Sequence, residues 1–283
     1  MSGNEAKVAV ITGAGSGIGR ALAQLLAGRG FKLALNDWNA AALEETKKSV
    51  GVEVEAHAFD VSKREAMHEF AQKVLARFGR ADWVVNNAGV DLAQSVNDVS
   101  YEDFEWIMGV NFWGVVHGTK AFLPTLLKQN SGAVVNVSSV MGLVGYQMHG
   151  TYCASKFAVR GFTESLRYEL RGTGVLAACV HPGGIKTNIV RNSRFRADVG
   201  EINHDEAVNF FARIARTTAE EAAETIANGV EAKKVRILIG ADAVAIDTAQ
   251  RLLPASYQGF FDTVGPRPKK TVAPEVPDAR KGS

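Results

Sequence analysis

Short apolar runs rich in β-branched residues alternate with longer helical patterns along most of this chain, and this alternation restricts its possible folds more than any other feature. Several runs, such as VAVIT, AVVNVSS and RILIG, are apolar with little strict alternation. Such runs are typical of parallel strands that are covered on both faces. The candidate strands are Lys7–Thr12, Lys32–Asn36, Val52–Ala58, Trp83–Asn86, Ala133–Ser138, Val175–His181 and Val235–Ile239. The pattern predicts an α/β fold with a doubly wound parallel sheet of seven strands.

Two capping boxes mark predicted helix starts. Ser62 with Glu65, and Thr218 with Glu221, have the spacing in which two side chains satisfy free N–H groups of a first helical turn. No internal repeat and no linker divides the chain. We therefore expect a single domain whose helices cover both faces of the sheet.

The composition excludes several classes of protein. The chain has 283 residues, of which 46% are hydrophobic, and a formal net charge of +2. This balance gives no electrostatic footprint for nucleic acid, so we expect no nucleic-acid partner. The first apolar run, Val8–Ile11, is too short for a membrane span, and no integral span is expected. The two cysteines, Cys153 and Cys179, lack metal-ligand spacing, which predicts no metal site and favours a reduced, cytoplasmic protein.

A glycine-rich turn, TGAGSGIGR (Thr12–Arg20), follows the first strand and opens a helix. Glycines at this junction let the backbone approach a pyrophosphate, and the helix N-terminus supplies free N–H groups and a favourable dipole. The usual G-x-G-x-x-G spacing is not met because Ile18 stands where the third glycine would be. The turn predicts a dinucleotide site, and an ordinary strand–helix turn is the alternative.

An acidic residue ends the second strand in LALNDWN. The number of residues between Gly19 and Asp37 is about that at which a carboxylate binds the hydroxyls of the adenine ribose in dinucleotide-binding folds. The same carboxylate would repel a 2′-phosphate. Neither Trp38 nor Ser16 is the basic residue that would bind such a phosphate. We therefore expect NAD in preference to NADP, with a turn or N-cap role as the alternative for Asp37.

Tyr152 and Lys156 lie four residues apart in TYCASKFAVRGF, with only small side chains between them. On a helix they share one face, so the ammonium lies near the phenol. Taken alone, such a pair is more often part of a solvated helix face. The alternative is a tyrosine whose hydroxyl is prepared to ionise, and the rest of the chain has to decide between them.

Further motifs follow the glycine turn in order. They are NNAG (Asn86–Gly89), GVNFWG with Asn111, NVSSV with Ser139, YCASK (Tyr152–Lys156) and PGGIKT (Pro182–Thr187). With TGAGSGIG before them, the chain resembles the short-chain dehydrogenases/reductases over about residues 7–240. The resemblance implies a Rossmann fold over residues 1–240 that transfers hydride between NAD(H) and a secondary alcohol or ketone. It also implies a homodimer or homotetramer.

The resemblance assigns four catalytic positions, which are Asn111, Ser139, Tyr152 and Lys156. Ser139 is chosen over Ser138 because the family's serine lies thirteen residues before the tyrosine. Tyr152 would act as general acid/base, and Ser139 would orient the substrate oxygen. Lys156 would hold the nicotinamide ribose and lower the tyrosine pKa. Asn111 would complete a water-filled proton path to solvent.

Activation of the tyrosine requires a large change in its acidity. A free tyrosine has a pKa near ~10 and is a poor base at neutral pH. Lowering this pKa by ~3 units takes about 4 kcal/mol, whereas a neighbouring cation contributes ~1–3 units. We therefore expect Lys156 to act together with the positive ring of the oxidised nicotinamide.

Cofactor contacts are predicted from the glycine turn and, through the resemblance, from family positions. The predicted set is Gly13, Ser16, Gly17, Ile18, Gly19, Asp37, Trp38, Asp60, Val61, Asn86, Asn87, Ala88, Gly89, Tyr152, Lys156, Pro182, Gly183, Ile185 and Thr187. Asp60 and Val61 would lie along the adenine, with a helix start as the alternative role of Asp60. Ile185 and Thr187 would contact the carboxamide.

The substrate side is predicted beyond the carboxyl ends of the strands. It should be built from residues 90–95, 141–150 and 188–215, and the last of these is interpreted as a mobile lid. The apolar character of these segments indicates a bulky or apolar substrate such as a steroid, a terpenoid or another secondary alcohol. The lid arginines are more often a solvated surface than an anchor for an acidic substrate. His149 is expected at the pocket edge or the surface.

The C-terminal part goes beyond the common family core. Residues 241–263 carry apolar side chains that would pack onto the body, cover a partner subunit or touch a membrane surface, in that order of preference. Residues 264–283 contain four prolines and few large apolar residues, which predicts a disordered tail.

Two other functions remain open at the level of sequence. One is a related epimerase or dehydratase that uses NAD transiently, although the chain lacks the large substrate domain of such relatives. The other is a non-catalytic dinucleotide sensor. A sensor would have little reason to keep Asn111, Ser139, Tyr152 and Lys156 together.

Overall fold

A seven-stranded parallel sheet forms the centre of the structure, a computed structural model that describes residues 6–195 and 204–259. The strands are β1 (Val8–Thr12), β2 (Lys32–Asp37), β3 (Val54–Ala58), β4 (Trp83–Asn86), β5 (Leu92–Ala93), β6 (Gly132–Val137), β7 (Val175–Pro182), β8 (Arg194–Phe195) and β9 (Arg236–Ile239). The main sheet has the order β3-β2-β1-β4-β6-β7-β9, and β5 and β8 form a separate parallel pair. The predicted doubly wound fold is confirmed.

Helices connect the strands and cover the sheet. They are α1 (Gly17–Gly28), α2 (Ala40–Ser49), α3 (Arg64–Phe78), α4 (Tyr101–Met108), α5 (Gly114–Gln129), α6 (Gly150–Glu169), α7 (His204–Ile214), α8 (Ala219–Glu231) and α9 (Ala241–Leu252). A π-helical turn, Gly109–Trp113, separates α4 from α5. Because all main strands run parallel, their carboxyl ends share one edge, and the order reverses between β1 and β4. Ligand crevices form at such a point.

Both faces of the sheet are buried. Alternate residues of β1 enter two different clusters, since Ala9 and Ile11 join one and Val8 and Val10 join the other. Helices α1 and α8 cover the first cluster, and α3, α5 and α6 cover the second. Burying a large apolar side chain contributes about 1.5–3 kcal/mol. This two-sided burial explains why the strands read as continuous apolar runs.

One of the two predicted capping boxes is formed. Thr218 and Glu221 cap each other at the start of α8. The predicted box of Ser62 and Glu65 is wrong, because α3 begins one residue too late and its N-cap is Lys63. Asp60 explains the shift, since its carboxylate accepts the Ser62 N–H at 2.9 Å and its carbonyl accepts the Lys63 N–H at 3.0 Å.

The structure describes only part of the predicted lid and of the C-terminal region. The predicted lid, 188–215, contains β8 and α7, and residues 196–203 within it lie outside the described residues. The extension beyond 240 forms α9, which is tied to β9 by an ion pair between Asp247 and Arg236. The predicted tail, 264–283, lies outside the described residues. In the described part of the chain, no helix is long and apolar enough to cross a membrane, and no cluster of three metal-ligating side chains occurs.

Candidate active site

Tyr152 and Lys156 lie one turn apart near the start of α6, and both are buried. The Lys156 Nζ is 5.6 Å from the centroid of the Tyr152 ring. The same Nζ donates a hydrogen bond to the carbonyl of Val137 at 3.2 Å, at the end of β6. The pair is therefore not part of a solvated helix face.

The structure separates the two serines that follow β6. The Ser139 hydroxyl lies close enough to the Tyr152 hydroxyl to lower the pKa of the phenol, against the larger effect of burial, and it accepts the N–H of Met141 at 3.1 Å. The Ser138 hydroxyl instead donates to the backbone carbonyl of Lys156 at 2.8 Å. Ser139 thus faces the tyrosine, whereas Ser138 joins β6 to α6.

Asn111 lies in the π-helical turn and is fully buried. Its Oδ1 accepts the N–H of Val90 at 2.8 Å, and its Nδ2 donates to the Val90 carbonyl at 3.0 Å and to the Ser155 hydroxyl at 3.0 Å. A β-carbon added to Gly89 would lie 3.2 Å from Lys156 Nζ and 3.3 Å from Asn111 Oδ1. The asparagine and the lysine therefore approach each other beside Gly89.

The electrostatics of this site differ from the sequence expectation in one respect. Burial raises the pKa of Tyr152 above its usual value, and the nearby Asp91 carboxylate raises it further. Burial lowers the pKa of Lys156 to about 8, against the usual 10.5. The side chains of the site therefore keep the phenol protonated, and Lys156 does not by itself lower its pKa.

The glycine turn fits a pyrophosphate. Gly13 and Gly17 adopt positive φ angles of 65° and 50°. A β-carbon on Gly19 would overlap the carbonyl oxygen of Gly13, so only glycine allows this close approach. The N-cap of α1, Ser16, makes no side-chain cap, and the first turn carries no acidic residue, so its N–H groups suit an anion. Ile18 continues this first turn.

Asp37 has a structural role at the same turn. Its Oδ2 accepts the Gly15 N–H at 2.8 Å, and its Oδ1 accepts the Asn39 N–H at 2.9 Å. A carboxylate oxygen can accept more than one hydrogen bond, so these contacts leave room for ribose hydroxyls. The neighbouring Trp38 is 79% exposed. Ribose binding by Asp37 and adenine binding by Trp38 stay predictions.

The NNAG segment supports the glycine turn from β4. The Asn87 amide donates to the carbonyls of Thr12 at 3.0 Å and Gly13 at 3.2 Å. The Thr12 hydroxyl accepts the N–H groups of Asn87 and Ala88, both at 3.0 Å. The Asn86 amide is buried and donates to Thr119 and Asn136, so any cofactor contact of Asn86 would come from its backbone.

The other predicted contacts lie around this crevice. Val61 is buried against α5, where a β-carbon on Gly114 would lie 2.7 Å from its Cγ2, whereas Asp60 is exposed. Beyond Pro182, the Gly183 N–H donates to the Ile239 carbonyl at 2.9 Å.

The segment after β7 closes toward α1. A β-carbon on Gly17 would lie 3.1 Å from the Cγ2 of Thr187, so this segment reaches the helix N-terminus. Ile185 is buried and bridges to Thr217. The contacts of Ile185 and Thr187 with a carboxamide stay predictions.

Sequence reasoning missed three supporting residues. His181 is fully buried, donates from Nδ1 to the Ser139 carbonyl at 3.0 Å, and has a pKa that burial lowers to about 4. Asp242 accepts the Gly184 N–H at 2.6 Å. Asp91, which directly follows NNAGV, is buried beside the tyrosine. In the sequence, only the position of Asp91 directly after NNAGV indicates that it belongs to the site. Single polar residues in strands and loops form no periodic pattern from which their role could be predicted.

Comparison with known proteins identifies the family. The family model described as short chain dehydrogenase matches residues 7–197. The chain belongs to this family. The protein named as oxidoreductase SadH of Mycobacterium tuberculosis is 46% identical over 263 residues, which cover 91% of this chain and 95% of that protein. The diacetyl reductase [(S)-acetoin forming] of Staphylococcus epidermidis is 36% identical over 187 residues, covering 65% of this chain and 73% of the reductase.

Solved structures of short-chain dehydrogenases superpose on the whole fold. The enzyme from Burkholderia phymatum in complex with NAD has a TM-score of 0.81 at 30% identity, covering 96% of this chain and all of that one. The closed form of serine dehydrogenase complexed with NADP+ has a TM-score of 0.74 at 26% identity, covering 82% and 93%. The chain is accordingly an NAD(P)-dependent oxidoreductase of the short-chain dehydrogenase/reductase family.

Proposed function

We propose that this enzyme oxidises a secondary alcohol, or reduces the corresponding ketone, with Tyr152 as the general acid/base. The observation that carries the proposal is the convergence of four buried side chains, Asn111, Ser139, Tyr152 and Lys156, at the carboxyl edge of the sheet. Each comes from a different part of the chain or a different turn of α6. General acid–base catalysis needs this placement of a proton-transferring group against an orienting donor.

The roles follow from the contacts. When bound, the dinucleotide supplies the hydride acceptor or donor and, in its oxidised form, a positive charge near the phenol. In oxidation the Tyr152 phenolate takes the proton from the alcohol oxygen, and in reduction the Tyr152 phenol gives its proton to the ketone oxygen. The Ser139 hydroxyl, which lies beside the Tyr152 hydroxyl, orients that oxygen. Because burial raises the pKa of Tyr152, the phenol is held in the form that donates a proton, as ketone reduction requires.

Lys156 and Asn111 support proton movement. The lowered pKa of Lys156, about 8, lets the ammonium exchange its proton near neutral pH. Asn111 is fixed by its two hydrogen bonds to Val90 and lies beside the lysine across Gly89. In this arrangement Asn111 completes, through water, a path by which the proton reaches solvent.

NAD is the proposed cofactor. Asp37 is the last residue of β2, and its carboxylate would repel a 2′-phosphate. Arg20 is committed elsewhere, since its guanidinium donates to the Thr46 hydroxyl at 2.9 Å and forms an ion pair with Glu45 at 3.0 Å. We expect kcat/KM to favour NAD over NADP, and Asp37→Ser to reduce that preference. A strong wild-type preference for NADP would contradict the assignment.

The substrate side is mainly apolar next to the tyrosine. Leu92 and Ile107 pack against Tyr152, with Met141 and Trp106 at their margin. This wall supports a bulky or apolar substrate, and the diacetyl reductase relative supports a small ketone class as well. Arg194 forms an ion pair with Asp103 at 2.9 Å and lies 3.6 Å above the Trp106 ring, so its charge serves the fold.

A homodimer or homotetramer is the proposed assembly. Large apolar side chains are exposed on the helices of one side, with Trp113 at the end of the π-helical turn and Phe157 on α6 exposed by 51% and 41%. Two free thiols are buried, which agrees with the proposed cytoplasmic location. Light scattering at micromolar concentration should give a dimeric or tetrameric mass, and a monomeric mass would contradict the assembly.

The assay is direct. Absorbance of reduced nicotinamide is followed with a panel of secondary alcohols and ketones, in both directions. Net reduction or oxidation of the cofactor supports the proposal. Conversion of substrate without net change in the cofactor would favour an epimerase or dehydratase. Tight dinucleotide binding without turnover of any panel member would favour a sensor.

A further inference from the structure

Asp91 is a buried carboxylate that the proposed mechanism does not use. It directly precedes β5, and its exposed fraction is 6%. Its Oδ1 has no hydrogen-bond partner among residues 6–195 and 204–259. Burial raises the pKa of this carboxyl, whereas the neighbouring His149 lowers it. A buried polar oxygen left without a partner costs about 1–3 kcal/mol, so a partner from outside the described chain would stabilise this one.

An imidazole lies close to this oxygen. His149 Nε2 lies 3.9 Å from Asp91 Oδ1, beyond direct hydrogen-bonding distance. The other ring nitrogen, Nδ1, lies 3.0 Å from the Gln147 carbonyl and therefore carries a hydrogen. Two atoms separated in this way can both hydrogen-bond one oxygen that lies about 2.8 Å from each.

The pair lies next to the reacting tyrosine. The centroids of the His149 and Tyr152 rings are 6.4 Å apart, with the rings nearly perpendicular. The charge of Asp91 also acts on Tyr152 and on Lys156. Any group held between Asp91 and His149 is therefore only a few bonds from an oxygen held by Tyr152.

Two more polar atoms around this position lack partners in the described chain. They are the Gln94 Oε1 and the Thr151 Oγ, and both residues are buried. Gln94 bridges to His149 through the backbone, and Thr151 lies in the first turn of α6, two residues after His149. The surrounding wall is otherwise apolar, with Leu92, Ile107 and Met141 against the tyrosine. Polarity is thus concentrated on one side of the substrate space.

We propose that Asp91 and His149 form a polar subsite that binds a second hydroxyl of the substrate, a few bonds from the reacting carbon. The preferred substrates are then vicinal diols and α-hydroxyketones. A hydroxyl donates and accepts at once, so it suits a pair in which one proton is shared between the Asp91 carboxyl and His149 Nε2. It donates to whichever of these two atoms lacks the proton and accepts from the one that carries it. A second carbonyl could only accept and would leave the other atom unpaired. This inference rests on the proposed function and refines its substrate class.

The first test compares matched substrates. The values of kcat/KM are measured for 2,3-butanediol against 2-butanol, and for trans-cyclohexane-1,2-diol against cyclohexanol. Wild-type enzyme should favour the diol of each pair by about tenfold to a hundredfold, as one buried hydrogen-bonding pair allows. Asp91→Leu and His149→Phe should each reduce this ratio to within a few-fold of unity. Equal rates for diol and mono-alcohol in the wild type would overturn the proposal.

A matched control is available in the same loop. Asp98 is exposed, and its carboxylate bonds to Ser95 away from the tyrosine. Asp98→Asn should retain the diol preference, and its loss there would overturn the assignment to Asp91. Thermal melting and NAD titration establish that each variant is folded. A folded Asp91→Leu or His149→Phe enzyme that keeps the full preference would also refute the subsite.

A second measurement separates the subsite from the reaction. Calorimetry records the binding of each diol and mono-alcohol to the NAD complex of Tyr152→Phe enzyme. Tighter diol binding that is lost with His149→Phe supports the subsite, even if no panel member is turned over by the wild type. Turnover of mono-alcohols and diols with equal binding would refute the subsite and leave the proposed function intact.

Discussion

The glycine turn and the loops around His149 both border the same crevice, but they differ in how their polar atoms are used. At the turn, Thr12, Asp37 and Asn87 are hydrogen-bonded to backbone groups of the turn or its neighbours. Around His149, oxygens of Asp91, Gln94 and Thr151 have no partner within the described residues. The glycine turn is organised by its own hydrogen bonds. The loops around His149 keep polar atoms whose hydrogen-bond partners must come from outside the described chain.

Replacement of the tyrosine gives the largest expected effect and tests whether the two sides act separately. Tyr152→Phe removes the proton-transferring hydroxyl at the boundary between them. We expect kcat to fall by about 10²–10⁴, with little change in the Kd for NAD. Stopped-flow turnover and fluorescence titration of NAD measure the two quantities. Undiminished turnover would refute the role of the phenol.

A substitution in the glycine turn should weaken NAD binding, the quantity that Tyr152→Phe leaves almost unchanged. A β-carbon in Gly19→Ala would overlap the Gly13 carbonyl, so the turn must shift away from its present geometry. We expect NAD binding to weaken by about tenfold or more, which corresponds to ~1.4 kcal/mol. Gly28→Ala, in the same helix and with open space around it, is the control. Equal NAD affinity in both variants would show that the turn is not organised as tightly as described.

The buried lysine predicts a dependence of stability on pH. Its folded pKa of about 8 is below the usual 10.5, so the unfolded chain binds more protons between these values. The free energy of unfolding should therefore rise from pH 8 toward pH 10 by an amount on the order of 1–3 kcal/mol. Lys156→Met should lack this rise and be more stable than wild type near pH 7, although inactive. Urea unfolding at several pH values tests the sign, and parallel pH profiles for the two proteins would contradict it.

The smallest predicted effect concerns a helix cap away from both regions. Thr218→Ala removes the side chain that accepts the Glu221 N–H at the start of α8. We expect a loss of about 0.5–2 kcal/mol in the free energy of unfolding, with kcat and the Kd for NAD retained. Ser62→Ala should be nearly neutral, because Ser62 does not cap α3. A larger loss for Ser62→Ala than for Thr218→Ala would show that the assignment of caps is wrong.

The sequence allowed the fold to be predicted because its cause is local. Each strand of the main sheet is apolar on both faces, and that property is visible in VAVIT or RILIG without any tertiary information. The positions of Tyr152 and Lys156 on one helix face followed from spacing alone. The capping box at Ser62 failed because Asp60, two residues earlier, competes for the same backbone groups.

Other features of the candidate site depend on contacts between residues that are distant in the chain. Such contacts leave no periodic pattern in the sequence. His181 looks like any strand residue until the structure places its ring against the Ser139 carbonyl. Asp91 and His149 are far apart in the chain, and only folding brings the carboxylate within 3.9 Å of the imidazole. Burial raises the pKa of Tyr152, and the four-residue spacing between Tyr152 and Lys156 carries no information about that burial.

The π-helical turn around Asn111 has a consequence for how the chain can change. An α-helix advances about 100° per residue, so one additional residue rotates everything beyond it to a different direction. Before the turn, Ile107 packs with Tyr152, and after it Phe122 belongs to a different cluster, the one on one face of the sheet. Deletion of any single residue between 109 and 113 would bring the two halves into a common helical phase. The protein would then have to give up either the packing of Ile107 with Tyr152 or the packing of Phe122 against the sheet.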